Sequence, residues 1–151
     1  MAARADIAVY DTRGELALIV DIKNKLGTDD EWATKMRRNL VAHDFLPKVP
    51  FFLLALPDRF YLWKDKYLPQ LEKPQYGVDA SSVLEPYFER ASVQPSSITE
   101  TGFELLIGLW LADLIDMDEL PEAYSRDNGW LIQSGLFGAI RHGIIAVEAV
   151  V

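Results

Sequence analysis

Five consecutive apolar residues, Leu16-Ala17-Leu18-Ile19-Val20, give way at once to Asp21-Ile22-Lys23-Asn24-Lys25. A strand that is apolar at every position, rather than at every second one, is covered on both faces, so this segment belongs in the middle of a sheet. Just upstream, Ile7 to Tyr10 reads as another strand. Asp11-Thr12-Arg13-Gly14 separates the two with turn chemistry, Asp at its start and Gly able to take a left-handed conformation. The two strands therefore form a β-hairpin.

After the hairpin, Thr28, Asp29 and Asp30 offer caps for a helix running to about His43. Ala33, Met36 and Leu40 form its apolar stripe. Phe51 to Leu56 is a second buried strand, and Pro57-Asp58 turns it into an aromatic-rich strand, Arg59 to Lys64. A helix between the second and third strands acts as a right-handed crossover and makes those strands parallel. Residues 65–100 contain four prolines and read as a long surface connection with a short helix near Val83 to Arg90. Thr101 to Ile115 is a strong helix, and an acidic loop, Asp116 to Glu122, follows it. A last helix starts at Asp127, Asn128 or Gly129 and runs through Arg141, with Gly143 as its stop. Ile144 to Val151 is a terminal strand. The expected architecture is α/β: a mixed sheet with a crossover helix and a helical C-terminal half, in one domain spanning 1–151.

Composition narrows the function. The net charge is −8, which excludes a basic nucleic-acid coat protein. The charge is uneven, however: residues 1–66 hold 11 Lys/Arg against 10 Asp/Glu, and residues 67–151 hold 4 against 13. A polyanion is expected to meet the first half. The chain has no cysteine, so disulfides and thiolate metal sites are excluded and a reducing cytoplasm is the expected location. The N-terminus has no secretory signal, and the longest apolar stretches are too short to span a bilayer, so no membrane partner is expected.

The hairpin also carries the candidate chemistry. Asp6 heads the first strand and Asp21 and Lys23 end the second. Antiparallel pairing brings those ends together, and the turn centred on Arg13-Gly14 lies about midway between Asp6 and Asp21. Asp21 and Lys23 are two apart and share a face. Two carboxylates suit Mg²⁺ or Mn²⁺, which prefer oxygen ligands, with the Ile22 carbonyl as a third donor. Such an ion polarises a phosphate oxygen and activates water, and an adjacent lysine orients that water or offsets developing charge. The Asp-x-Lys tripeptide alone is uninformative, since a chain of this composition holds about one by chance. Its setting, an apolar strand with a second Asp across a turn, carries the information. The alternative reading of the trio is a salt-bridge cluster at a strand end.

Arg4-Ala5-Asp6-Ile7-Ala8-Val9-Tyr10-Asp11 followed by Leu18-Ile19-Val20-Asp21-Ile22-Lys23 resembles the PD-(D/E)XK nuclease superfamily, whose fold is restriction-endonuclease-like. The resemblance covers roughly residues 4–64. It implies an αβββαβ core, with Asp6 and Asp21 as the two acidic positions and Lys23 as the lysine. Ala5 stands where the family has proline. The family's first helix and strand normally precede this hairpin, and that helix often supplies a Glu. The helix 101–115, with Glu104 near its start, and the strand 144–151 are candidates to fill the two positions, as in a circular permutation; a partner chain is the alternative source.

The implied function is a metal-dependent nuclease acting on DNA or RNA. The alternative is an inactive nuclease-like binding or assembly module, homodimeric, with an apolar tail of Ile144, Ile145, Val147, Val150 and Val151. Lys25, Lys35, Arg37 and Arg38 directly follow the candidate site and read either as phosphate contacts or as a solvated helix face. His43 and His142 lack partners at zinc spacing. Phe60, Tyr61 and Trp63 read as sheet packing rather than a base-stacking platform, and Phe103, Trp110 and Leu111 as core.

Overall fold

The computed structural model describes residues 4–44, 47–64, 72–122, 124 and 129–151. In chain order the elements are β1 (Arg4–Tyr10), β2 (Leu16–Ile22), α1 (Asp30–Asp44), β3 (Phe51–Ala55), β4 (Arg59–Lys64), β5 (Tyr76–Asp79), α2 (Ser81–Ala91), α3 (Glu100–Ile115), α4 (Gly129–Gln133), α5 (Leu136–Ile140) and β6 (Ile144–Val150). The strands form one six-stranded mixed sheet in the order β5-β4-β3-β2-β1-β6.

The apolar run of β2 sits inside this sheet, between β1 and β3. It pairs antiparallel with β1, Ile7 opposite Val20, and parallel with β3, Val20 opposite Leu53. The turn is built as its residues require. Asp11 Oδ1 accepts from the backbone N–H of Arg13 and of Glu15, and Gly14 takes a left-handed conformation (φ 81°). The parallel step from β2 to β3 is made through α1. Asp29 caps that helix by accepting from Trp32 N–H at 2.8 Å.

Both faces of the sheet are covered, which is why β2 and β3 carry apolar residues at nearly every position. On one face, Val9, Val20, Leu53 and Leu62 pack with residues of α2, α3, α4 and α5, including Phe103, Trp110 and Leu131. On the other face, Ala8, Ile19, Phe52, Leu54 and Trp63 pack with Ala33 and the flanking Met36 and Leu40 of α1. The β4 aromatics are core, as the alternation predicts. Phe60 lies 5.1 Å from Trp110 between ring centroids, and Trp63 stands edge-on to Phe52.

Two elements differ from the sequence reading. The connection after β4 contains a strand, β5, which pairs antiparallel with β4 from Arg59–Asp79 to Leu62–Tyr76. Its four residues hold no apolar run, and the ladder of β4 orders them. The last helix is two short ones, broken at Ser134-Gly135. Gly135 adopts φ 86°, and the buried Ser134 hydroxyl accepts from Leu136 N–H, so one helix stops and the next starts within two residues. Of the expected start residues, Asp127 and Asn128 lie outside the described residues, and Gly129 opens α4.

At the far end of the chain, β6 runs antiparallel to β1, Ile7 opposite Val147 and Tyr10 opposite Ile144. Gly143 makes this docking possible. A Cβ there would collide with the carbonyl oxygens of Tyr10 and Ile140. Gly143→Ala is therefore expected to lower stability by about 1–3 kcal/mol. Urea unfolding would register this as a lower midpoint at unchanged slope.

Candidate functional site

The two ladders that flank β1 fix what meets at its first residues. Continuing the β1–β2 register one step beyond Ile7–Val20 sets Asp6 opposite Asp21. In the β1–β6 ladder, Ala5 faces Ala149 and Ile7 faces Val147, so Asp6 also stands opposite Glu148. Asp21 and Glu148 thus lie on the strands that flank Asp6, near the same end of β1. Glu148 is held in a left-handed backbone conformation, φ 50°, an uncommon one for a non-glycine residue.

Each member is positioned by a definable contact. Asp6, half-buried, accepts from the backbone N–H of Ile22 at 2.7 Å, which ties β1 to the end of β2. Lys23 Nζ lies 3.5 Å from Asp21 Oδ2, with the lysine side chain more open to solvent than the aspartate. The Lys23 backbone N–H donates to the Ala55 carbonyl at 3.1 Å, so the motif is anchored to β3 as well. Of the residues singled out from sequence, Lys23 pairs with Asp21, and Asp6 is tied through the Ile22 N–H to the residue between them. At Ile22 it is the N–H, not the carbonyl, that engages a carboxylate.

Glu104, in the first turns of α3, joins this group. Burial raises its pKa above the ordinary carboxylate value, and the charges of Asp6, Glu100 and Glu148 push it in the same direction. The helix residue considered as a partner for the hairpin is thus within electrostatic reach of Asp6. Glu148 was not foreseen. Its charge in an otherwise apolar tail was the available signal, and only the β1–β6 register says which residue it opposes.

The basic residues divide. Lys25 is exposed, with Nζ 5.6 Å from the centroid of Trp32. Lys35 is exposed and pairs with Glu31 one turn earlier, at 3.4 Å. Arg38 is half-buried. Arg37 is different: it is 8 % exposed, its guanidinium 5.7 Å from the Phe52 ring and 5.3 Å from Trp63. Burial draws its pKa down, against the attraction of Glu72. Its guanidinium packs under α1 as a core cation and presents no solvated face to a phosphate. Helical spacing held the clue, since position 37 lies four residues after Ala33 and three before Leu40, on the apolar stripe.

Among the described residues, no group of three or more His, Asp or Glu is close enough to hold a metal ion by itself. His142 pairs with Asp118 at 3.0 Å. No helix among them is long and apolar enough to cross a membrane.

The class these features define is a mixed α/β protein with a six-stranded sheet and an acidic, lysine-flanked level at one end of its β1–β2 hairpin. Compared with family models, curated proteins and solved structures, the chain matches none.

The environment of Glu104 has a pH consequence. A carboxyl whose folded pKa is raised binds more protons folded than unfolded. Its ionisation therefore subtracts stability as pH rises from the unfolded carboxylate value through the raised folded one. Glu104→Gln should remove that loss. Unfolding curves measured from pH 4 to 7 are expected to show a smaller decline in stability with rising pH for the variant than for the parent protein.

Proposed function

We propose that this chain is a Mg²⁺- or Mn²⁺-dependent phosphodiesterase acting on DNA or RNA, with its site at Asp6, Asp21 and Lys23. The observation that carries the reading is the hairpin end at which Asp6 accepts from the Ile22 N–H and Asp21 is ion-paired with Lys23. The donor set fits a hard cation. Mg²⁺ keeps several waters and is commonly held by one or two carboxylates rather than by a full protein cage. Two aspartates, with the Ile22 carbonyl as a further oxygen, suit it better than they suit zinc, which favours four nitrogen or sulfur ligands in closed sites. Bound there, such an ion would polarise a phosphate oxygen and lower the pKa of a water.

The chain's own residues supply the rest. The N–H of Ile22 holds the Asp6 carboxylate in one orientation, so it pays little ordering entropy on meeting a cation. Glu104 and Glu148 add negative potential that draws a cation to the level of Asp6. Lys23 orients the attacking water and sets a positive charge near the developing negative one. Lys25, Lys35 and Arg38 contact phosphates further along the strand, whereas Arg37 keeps α1 on the sheet.

The topology supports the resemblance to the PD-(D/E)XK superfamily. Strands β6-β1-β2-β3 are neighbours in that order, α1 crosses from β2 to its parallel partner, and α3 contacts β6. A circularly permuted restriction-endonuclease-like core would use α3 and β6 in place of the family's first helix and strand. The cysteine-free composition supports a cytoplasmic setting. A second reading, an inactive homodimeric assembly module, is favoured by one feature: the exposed apolar side chains of β6.

Cleavage assays on single-stranded DNA, duplex DNA and RNA with Mg²⁺ or Mn²⁺ test the first reading. Chelator-sensitive cleavage is expected, abolished by Asp21→Ala and lowered about 100-fold or more by Lys23→Ala. Cleavage indifferent to Asp21→Ala would reject the site.

A further inference from the structure

We propose that β6 pairs edge to edge with β6 of a second copy of this chain, antiparallel about a two-fold axis at Val147, joining two six-stranded sheets into one. The inference does not depend on the nuclease reading.

In the sheet order β5-β4-β3-β2-β1-β6, β6 is an edge, and among the described residues no strand lies on its outer side. An open edge is a template for another strand. Proteins commonly blunt such edges with short length, charge or proline. The opposite edge is blunted: β5 has four residues and ends in Asp79, with Pro74 just before it. By contrast β6 has seven residues, no proline and no lysine. It carries three large apolar side chains in solvent, Ile144, Val147 and Val150, at 67, 66 and 58 % exposure.

Their spacing is self-complementary. A two-fold antiparallel pair needs one residue to meet its own copy on the axis. With the axis at Val147, Val147 meets itself, Ile144 meets Val150 of the second copy, and Ile145 meets Ala149. Every exposed apolar side chain of the strand then opposes another. Glu148, the one charge on β6, faces Ala146 rather than a second glutamate, so like charges do not meet directly. With the axis at Ala146 instead, Ile144 would face Glu148 and Val150 would have no counterpart within the strand. The left-handed turn at Glu148 opposes pairing, because such kinks twist an edge away from a partner. The ladder with β1 resumes beyond it, with Ala149 opposite Ala5 and Val150 opposite Arg4, so the strand continues on both sides of Glu148.

The chain has no cysteine, which makes the test direct. Val147→Cys places a single thiol on the proposed axis, and Ser97→Cys places one at an exposed position elsewhere. Under mild oxidation, Val147→Cys should give a disulfide-linked species of twice 17.1 kDa on a non-reducing gel, and Ser97→Cys should give far less. Sedimentation of the parent protein should report the same doubled mass. Val147→Lys, at a solvent-facing position, should return it to 17.1 kDa with an unchanged circular dichroism spectrum. A parent protein monomeric at about 100 µM, a dimer that survives Val147→Lys, or equal cross-linking of the two cysteine variants would each overturn the proposal. Cleavage and metal binding are read separately, so failure here leaves the site at Asp6 and Asp21 untouched.

Discussion

The acidic end of the sheet depends on how β1 is held between two neighbours. On one side Ile7 pairs with Val20, one step from Asp6 and Asp21, and on the other Ala5 and Ile7 pair with Ala149 and Val147, to either side of Glu148. Neither ladder alone would assemble the three. A one-residue slip in either would turn the partner side chains to the opposite face of the sheet. The apolar positions guard against that slip: Ile7 and Val20 are buried together on one face, Ala8 and Ile19 on the other. The core thus sets the register, and the register sets the site.

Like charges gathered this way cost free energy, and the structure shows where part of that cost falls. Glu104 is pushed toward its protonated form by burial and by its acidic neighbours. Lys23 beside Asp21 and the Ile22 N–H on Asp6 offset part of the remainder. A structural purpose alone would be served as well by apolar residues at these positions. The proposed phosphodiester hydrolysis would give these carboxylates a cation to hold and the half-exposed lysine an anionic substrate to meet.

How much of this was legible in the sequence varies by element and for physical reasons. The hairpin, the buried strands β2 and β3, and their parallel connection through α1 follow from an apolar run, a turn signature and a well-capped helix, all local signals. So does the pairing of Ile7 with Val20 that ends the hairpin ladder, because a hairpin register is set by its own turn. Strand β5 was missed because Tyr76-Gly77-Val78-Asp79 has little strand preference of its own and is ordered by β4. The single long helix expected before Arg141 is two helices because Ser134-Gly135 can end one and cap the next, a choice made by the buried hydroxyl rather than by periodicity. Arg37 was counted with its basic neighbours, although its helical position places it on the buried face. Glu148 required knowing that the last strand lies beside the first, a contact between residues far apart in the chain.

The proposed chemistry depends on whether Asp6 and Asp21 form a cation site. Calorimetric titration of Mn²⁺ into the parent protein and into Asp21→Ala tests this without a substrate. Saturable binding is expected in the parent, and its loss in the variant. No binding in the parent, or binding unchanged by Asp21→Ala, would contradict the proposed site and reduce the hairpin's carboxylates and lysine to an ion-paired strand end.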